Sequence, residues 1–416
     1  MIEQLNIFCN GTAAATLCLD EKRAWNLQYD SAWLKRTDTF PISVTLPLQA
    51  EPLPGDDVRN FFSNLLPEGH IRSLIAKEFG ISARNDWELL KAIGGECAGA
   101  LSLLPPTQTY SSGGSYQKLS TAELAAMLGQ MPRRPLLRGV TDLRLSLAGA
   151  QNKLPVFIKE SALYLPRGSF ASSHILKPAV AEYPDIVLNE AFCMQLAEVA
   201  GLPVAKVQLW PQPQIMLLVA RYDRSLLPDG TLTRLHQEDF CQALGVSPDQ
   251  KYQSEGGPDV SACFTILQQH SVEPLLDKRF LLQWIIFNYL IGNADGHAKN
   301  ISLLTTSSGL RLAPFYDLLS TAIYPALSPK LAMKIGGENR LDWIQARHWE
   351  RLASDADVKP RVVLDLLKDM GTGLPKLAQT LAEKFSETKA AQAVSAKIVL
   401  HIQKQASAYQ RPHPAL

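Results

Sequence analysis

The 416-residue chain lacks most of the features that mark secreted, membrane-bound or metal-stabilised proteins. Its six cysteines are scattered, with no C-x-x-C pair and no histidine at ligand spacing, which argues against a zinc site and a disulfide framework. No basic segment followed by an apolar core, as in a secretory signal, stands at the start. The most apolar run, Phe280–Ile291, is too short to span a bilayer. We therefore expect a cytoplasmic protein without membrane contact.

The chain also lacks an excess of either positive or negative side chains. The chain has 41 Lys and Arg against 40 Asp and Glu, so its net charge of +1 gives no bulk reason to expect nucleic-acid binding. A hydrophobic content of 46% with 19% charged residues excludes the disordered class. The length indicates two or three domains, or one large two-lobed unit.

One polar stretch carries recognisable chemistry: residues 295–300 (DGHAKN), followed by 314–317 (PFYD). Phosphoryl transfer needs a group that receives the proton of an attacking hydroxyl and groups that hold Mg²⁺. Asp295 suits the first task, and Asn300 and Asp317 suit the second. The spacing Asp-x-x-x-x-Asn matches the catalytic loop of protein kinases, although the usual preceding His-Arg pair is absent.

Two further side chains inside this loop have alternative interpretations. His297 is either a metal ligand or, as we favour, an anchor that holds the loop by a hydrogen bond. Lys299 either neutralises charge on the transferring phosphoryl group or is an ordinary solvated lysine.

Hydrophobic periodicity and turn residues divide the chain into five parts. Residues 1–105 predict a small α+β unit with a hairpin at Asn10-Gly11, strands at 25–29 and 42–46, and helices within 56–79 and 87–93. Pro, Ser, Thr and Gly dominate 106–118, which we interpret as a linker. Residues 119–235 are expected to hold further strands, and 236–405 to be mostly helical, starting with a helix over 237–244. Residues 406–416 are expected to be a polar tail.

The part at 119–235 contains features that would suit nucleotide binding. Strand-like residues flank a small-residue turn within 145–158, the shape of a hairpin that covers phosphates. Lys177 ends a predicted strand and Glu190 follows on a helix, as in the kinase Lys–Glu pair. The alternatives are an ordinary turn and an unrelated surface Lys and Glu.

A possible nucleotide hinge comes next in the chain. The apolar run 215–220 predicts a buried strand that opens into 221–224 (RYDR), where a kinase would expose backbone groups to adenine. Asp223 and Arg224 are expected to form a structural ion pair near this hinge.

These features follow the order of the two lobes of a kinase, and the chain resembles the HipA family of bacterial serine/threonine kinase toxins over nearly its whole length. The most specific matches are 146–153 (SLAGAQNK), 188–190 (LNE), 221–224, 295–300 and 314–317. The resemblance implies an α+β, two-lobed protein-kinase-like fold with a small N-terminal α/β subdomain and a mostly helical C-terminal lobe.

The resemblance also implies a role for each matching residue. Asp295 would be the catalytic base, and Asn300 and Asp317 the Mg²⁺ ligands. The ATP-binding residues would be Ala148, Gly149, Ala150, Gln151, Asn152, Lys153, Lys177, Ala220, Arg221, Tyr222, His297, Lys299 and Asn300. Position 220 is acidic in the best-known relative, but the expected contacts of Ala220–Tyr222 with adenine are made by the backbone.

Ser146 would be an autophosphorylation site whose modification inactivates the enzyme. A phosphoserine adds about −1.5 to −2 charge. In a loop that must hold the phosphates of ATP, this charge would repel the nucleotide. Without the resemblance, Ser146 would be interpreted as a structural turn residue.

The family further implies a substrate and a partner. The expected protein is an ATP- and Mg²⁺-dependent protein kinase that phosphorylates an aminoacyl-tRNA synthetase. A DNA-binding antitoxin of HipB type would be its partner, and DNA would be contacted only through that antitoxin. Two alternatives stay open: a small-molecule kinase of aminoglycoside or choline type, and a catalytically weak co-repressor scaffold for the antitoxin.

Overall fold

The computed structural model describes residues 2–110, 113–131, 148–149, 151–228 and 230–410. The chain divides into two compact units. The first unit comprises Met1–Pro178, Trp210–Asp249 and Leu303–Ser307, and the second comprises Ala179–Leu209, Gln250–Ser302 and Ser308–Leu416.

The first unit begins with an antiparallel sheet of five strands, in the order β4-β3-β2-β1-β5. These strands are β1 (Glu3–Cys9), β2 (Thr12–Leu19), β3 (Trp25–Tyr29), β4 (Leu53–Pro54) and β5 (Leu101–Leu104). Four helices accompany the sheet: α1 (Ser31–Leu34), α2 (Asp56–Ser63), α3 (Gly69–Phe79) and α4 (Asp86–Ile93). The predicted hairpin is confirmed, because Asn10 and Gly11 both have positive φ (47° and 85°) between paired β1 and β2.

A second sheet of the first unit contains strands in the order β11-β9-β7-β8-β6. They are β6 (Gly114–Lys118), β7 (Leu154–Lys159), β8 (Ala162–Gly168), β9 (His174–Pro178) and β11 (Met216–Ala220). Shorter elements of this unit are α5 (Thr121–Gln130), β12 (Arg224–Leu226), β13 (Leu232–Arg234), β14 (Gln237–Asp239) and α7 (Phe240–Ala243). Strand β11 is almost entirely buried, as its unbroken apolar sequence predicts.

The second unit is mainly helical. Its helices are α6 (Ile186–Val199), α8 (Val260–His270), α9 (Pro274–Ile291), α10 (Ala346–Asp355), α11 (Pro360–Lys384) and α12 (Lys389–Gln410). The remaining strands are β10 (Val207–Trp210), β15 (Ser302–Thr306), β16 (Gly309–Leu312), β17 (Lys330–Ile335) and β18 (Glu338–Arg340), of which β10 and β15 include residues of both units. Helix α9 is buried along most of its length and packs against α11 and α12, so the apolar run 280–291 is a core helix.

Four expectations about secondary structure are wrong. Residues 42–46 form a turn with a single bridge between Ser43 and Leu46, not a strand. Residues 237–239 are strand β14, so the helix there begins only at Phe240. Residues 114–118 of the expected linker form the edge strand β6, and α12 extends to Gln410, into the expected tail.

All six cysteines lie in the described part of the chain and are free thiols. Among the described residues, no helix combines the length and the apolar character needed to cross a bilayer.

Candidate active site

The segment that carries Asp295 begins where helix α9 ends at Gly292. Gly292 has a φ of 68°, and a Cβ atom added there would lie 2.5 Å from Cβ of Ala322, so this turn requires glycine. Asn293 donates from Nδ2 to Oδ1 of Asn288 in the last helical turn (2.8 Å). Its own Oδ1 accepts the backbone N–H of Asp295 (3.0 Å). The end of a buried helix therefore holds the backbone of Asp295.

The carboxylate of Asp295 faces solvent. Its side chain is 53% exposed, which suits a group that must meet an incoming hydroxyl. Oδ1 accepts a hydrogen bond from the hydroxyl of Tyr252 at 2.7 Å and lies 4.0 Å from Nε2 of His297. The rings of His297 and Tyr252 pack edge to face, with centroids 5.2 Å apart.

Asn300 and Asp317, the two expected metal ligands, lie side by side. Nδ2 of Asn300 is 3.5 Å from Oδ2 of Asp317, and Oδ1 of Asn300 accepts the backbone N–H of His297 (3.1 Å). An amide oxygen has a second lone pair, so this bond does not prevent metal ligation. Asp317 has a φ of 54°, a left-handed conformation that Asp tolerates better than most residues.

This donor set fits Mg²⁺, a hard cation that prefers oxygen ligands and is usually held by one or two carboxylates together with substrate phosphates. Among the described residues, no group of three or more His, Cys, Asp or Glu side chains is placed to hold a metal ion. The structure thus brings together an amide and a carboxylate, but no zinc-type cluster in the part of the chain that it describes.

Lys299 and His297 are both buried, so the solvated-lysine interpretation of Lys299 is wrong. The backbone around them is held by Tyr316, whose hydroxyl donates to the carbonyl of Lys299 (2.7 Å) and lies 2.8 Å from Oγ of Ser302. Tyr316 precedes Asp317 directly, and this contact ties the two motifs of the second unit to each other.

The described members of the expected nucleotide-binding set in the first unit lie in the segment before β7, in β9, and at or just after the end of β11. Lys177 is buried in β9, opposite Leu217 of β11, and Glu190 is buried in α6, so the interpretation as a surface Lys and Glu is wrong. Nε2 of Gln151 donates to the carbonyl of Pro178 at 3.1 Å. The residue after Gln151, Asn152, is half-buried.

Gly149 lies in the segment before β7 and forms an isolated parallel bridge with Pro67. This glycine has a φ of 108°, and its carbonyl accepts the N–H of Glu68 (3.2 Å) at the start of α3. Nζ of Lys153 donates to the carbonyl of Ala148 at 2.5 Å. Ser146 and Ala150 lie outside the described residues, so their predicted roles stay predictions.

The expected hinge follows β11 directly. Ala220 pairs with His174, and the N–H of Arg221 donates to the carbonyl of Ser173 at 3.0 Å. The hydroxyl of Tyr222 donates to Oε1 of Gln237. The segment Ala220–Tyr222 is thus fixed by backbone and side-chain contacts within the first unit.

The guanidinium of Arg221 lies in a buried ionic cluster. It contacts Oδ2 of Asp223 (2.8 Å) and Oε1 of Glu96 (3.2 Å). Arg224 contacts the same two carboxylates at 2.9 and 3.0 Å, which confirms the predicted Asp223–Arg224 ion pair. Burial alone would raise the pKa of Glu96, but the three arginines Arg234, Arg221 and Arg224 hold it below its usual value.

Sequence reasoning did not find two residues that contact expected site residues, Glu96 in the first unit and Tyr252 in the second. Glu96 lies in GGECAGA, where an isolated acid among small residues is the only signal, and its arginine partners are more than a hundred positions away. Tyr252 lies in an unremarkable polar stretch (residues 250–255, QKYQSE), and nothing there indicates contact with Asp295.

An exposed aspartate, a neighbouring Asn–Asp pair, a buried strand lysine and an α+β fold are together typical of one class, a kinase-like phosphotransferase. The model of the HipA-like C-terminal domain matches residues 145–378, and that of the HipA N-terminal domain matches residues 5–104. The chain belongs to the HipA family of serine/threonine kinase toxins.

Relatives and a solved structure agree with this assignment. The "Putative kinase Y4mE" of Sinorhizobium fredii is 44% identical over 86% of each chain. The "Serine/threonine-protein kinase toxin HipA" of Shewanella oneidensis is 32% identical over 75% of this chain and 73% of its own. A structure of Shewanella oneidensis HipA with HipB and operator DNA aligns with a TM-score of 0.83 at 26% identity, covering 97% of this chain and 96% of that one. The fold is thus mixed α and β and kinase-like.

Proposed function

We propose that this protein is an ATP- and Mg²⁺-dependent protein serine/threonine kinase that acts as the toxin of a toxin–antitoxin pair. The observation that carries the proposal is the geometry of the second unit, where His297 links the expected residues. Its Nε2 lies 4.0 Å from the exposed carboxylate of Asp295, and its backbone N–H donates to Asn300, which lies beside Asp317. Membership of the HipA family supports the assignment to protein kinases and to toxins.

In the proposed reaction, Asp295 accepts the proton of a serine or threonine hydroxyl while that oxygen attacks the γ-phosphorus of ATP. The bond from the γ-phosphorus to its bridging oxygen breaks, and ADP leaves with the electron pair. Asn300 and Asp317 would hold Mg²⁺, which neutralises charge on the phosphates. Lys177 and the loop from Ala148 to Lys153 would bind the phosphates, Ala220–Tyr222 would meet the adenine, and His297 and Lys299 would support the transferring group.

The buried position of Lys299 supports the last of these roles. A buried ammonium group is a fixed positive charge in a medium of low dielectric constant, where it stabilises developing negative charge better than a solvated one would.

We further propose the partners that the family suggests. The substrate would be an aminoacyl-tRNA synthetase, and the antitoxin a DNA-binding protein of HipB type that alone contacts DNA. The solved complex of a relative with HipB and operator DNA supports the second point. Co-expression with a HipB-type protein should give a complex that shifts operator DNA, whereas the kinase alone should not shift it.

Labelling of a cell lysate with γ-labelled ATP and Mg²⁺ tests the reaction. A protein kinase labels one or a few lysate proteins, whereas a kinase of the aminoglycoside or choline type labels only small molecules. The scaffold alternative predicts no label in either fraction, together with intact operator binding in the presence of the antitoxin. Either of the last two results would overturn the proposal.

Autophosphorylation of Ser146 is a separate element of the proposal, and Ser146→Ala tests it. The variant should label lysate protein at the initial rate of the wild type, but it should not lose activity during preincubation with Mg²⁺ and ATP. Peptide mass spectrometry should find phosphate on Ser146 of the preincubated wild type. Inactivation of Ser146→Ala at the same rate would show that another event inactivates the enzyme.

A further inference from the structure

The hydroxyl of Tyr252 occupies the position on Asp295 that an acceptor hydroxyl needs. Its oxygen is 2.7 Å from Oδ1 of Asp295 and donates its proton toward it. A general base must be within hydrogen-bond reach of the proton that it abstracts, about 2.6–3.2 Å between heavy atoms. In the protein without substrate, a phenol of the same chain therefore meets the geometric condition that a serine or threonine acceptor must later meet.

Contacts within the second unit hold Tyr252 in this position. Its carbonyl accepts the N–H groups of Glu255 (2.9 Å) and Gly257 (3.0 Å), which closes a tight turn. Oε1 of the next residue, Gln253, accepts a hydrogen bond from the backbone N–H of Lys334 in β17 (2.7 Å). The aromatic ring packs against His297, so both the backbone and the ring fix where the phenol points.

Without Tyr252, this position on Oδ1 would be hydrated, as the exposed remainder of the carboxylate is. Water bound to Oδ1 of the base would be a nucleophile in place of the substrate: its oxygen would attack the γ-phosphorus of ATP, and its proton would pass to Asp295. The bond from the γ-phosphorus to the bridging oxygen would then break, with ADP leaving with the electron pair and inorganic phosphate formed. A kinase that acts on protein has to suppress this hydrolysis.

We propose that Tyr252 is a specificity-determining residue that keeps water from the position on Oδ1 of Asp295 that its hydroxyl occupies, until the hydroxyl of a protein acceptor displaces it. This inference rests on the proposed kinase function. When the acceptor hydroxyl replaces the hydroxyl of Tyr252, the hydrogen bond to Oδ1 is preserved. The remaining free-energy cost of the exchange is the displacement of the Tyr252 side chain from its contacts. A protein substrate can offset that cost with binding energy from remote contacts, whereas water has none.

The test uses Tyr252→Phe in the full chain. Removal of the phenol oxygen leaves a space for one water oxygen beside Oδ1 and keeps the ring contact with His297. Tyr183→Phe is the matched control, because Tyr183 lies in the same unit and its ring packs against Tyr324, at a centroid distance of 5.0 Å. Initial rates of phosphate release from Mg²⁺ and ATP without acceptor, and of lysate protein labelling, are measured for each variant.

Tyr252→Phe should release phosphate roughly tenfold faster than the wild type, the size expected for loss of one hydrogen bond to a charged group. Its KM for ATP should stay within about twofold, because uniform nucleotide binding is unchanged. Tyr183→Phe should match the wild type. Addition of Asp295→Asn to Tyr252→Phe should abolish the gain, which a merely structural effect of the tyrosine would not predict.

Two results would overturn the inference but not the kinase function. The first is phosphate release by Tyr252→Phe at or below the wild-type rate while the wild type labels protein. The second is transfer of phosphate to Tyr252 itself. A wild type that neither labels protein nor hydrolyses ATP would instead refute the proposed function, and this inference with it.

Discussion

The amide group of Asn300 holds two segments of the candidate site in register. Its oxygen accepts the N–H of His297, and its nitrogen lies 3.5 Å from Oδ2 of Asp317. Asp317 has a left-handed backbone with φ of 54°, and a non-glycine residue in that region carries strain that the surrounding structure must offset. Strain at a residue that also meets a polar partner is typical of functional positions, which agrees with the proposed metal-binding role.

Two buried titratable residues of the first unit lie outside the proposed chemistry. Burial raises the pKa of Glu238 to about 8, although its carboxylate accepts bonds from Oγ of Ser43 (2.5 Å) and from the N–H of Val44 (3.1 Å). Burial lowers the pKa of His236 to about 4. Both residues are therefore mostly uncharged in the folded protein near neutral pH.

The two residues change the free energy of unfolding in opposite directions with pH: Glu238 lowers it as the pH rises, and His236 lowers it as the pH falls. Between 4.5 and 8 the folded state holds the proton of Glu238 more tightly than the unfolded state, so this residue lowers stability as the pH rises. His236 lowers stability as the pH falls from 6.5 toward 4. Between pH 6.5 and pH 8, only the ionisation of Glu238 should change the free energy of unfolding.

Glu238→Gln should therefore gain stability relative to the wild type as the pH rises. The free energy of unfolding of the variant minus that of the wild type should increase by about 1–2 kcal/mol between about pH 6.5 and pH 8, because glutamine keeps a neutral side chain of the same shape. Denaturant titration at each pH measures the difference, with the exposed Glu51→Gln as control. A difference that falls or stays constant with pH would contradict the buried, protonated state of Glu238.

At the scale of elements, the buried ionic cluster ties the loop before β5 to the end of β11. Glu96 comes from that loop, Arg221 follows β11, and Arg224 begins β12. The N–H of Gly99 also donates to Oδ2 of Asp223 (2.8 Å). The family's N-terminal domain, which matches residues 5–104, is thus linked by charge to the segment proposed to meet adenine.

Glu96→Gln should destabilise the protein strongly. It leaves two buried guanidinium groups with one carboxylate between them, and loss of one partner from a buried ion pair costs about 3–5 kcal/mol. Glu88→Gln is the control, because its pair with Lys91 is partly exposed to solvent and should be worth at most about 1 kcal/mol. The free energies of unfolding of both variants measure this, and equal losses would contradict the importance of burial.

Elements with strong local signals could be predicted from the sequence, and those defined by distant partners could not. Long apolar runs in the sequence predict helix α9 and strand β11. Residues 42–46 alternate like a strand, but the hydroxyl of Tyr29 bonds both Ile42 and Leu46, and Glu238 binds Ser43, which folds the segment into a turn. Strand β6 has mostly polar residues and is defined by pairing with β8 and by stacking of Tyr116 on Phe157.

The segment at 237–244 shows a local signal that the periodicity concealed. Asp239 and Gln242 form a capping box, which places the start of the helix at Phe240 and leaves residues 237–239 free to form β14. At the site, spacing alone indicated Asp295, Asn300 and Asp317, whereas Tyr252 and Glu96 depend on tertiary contacts that spacing does not encode.

At the scale of the whole molecule, the order of the motifs defined the class better than any one of them. A glycine turn, a strand lysine, a buried strand with its hinge and an Asp–Asn–Asp set are each common, but their succession is that of a kinase. The two family models cover most of the chain in the same order, and the relative with a solved structure aligns over 97% of it. Function is therefore assigned from the site together with the family, and the substrate from neither.

The most direct test of the central claim is the initial rate at which purified protein transfers labelled phosphate from Mg²⁺ and ATP to lysate protein, compared with Asp295→Asn. Asparagine has the same shape and can still accept the hydrogen bond from Tyr252, but it cannot take up the acceptor proton. The rate should fall at least about 10²-fold, the typical contribution of a general base. Asp365→Asn, an exposed change in α11, should leave the rate unchanged. Transfer by Asp295→Asn at the wild-type rate would contradict the claim that Asp295 is the base of a kinase.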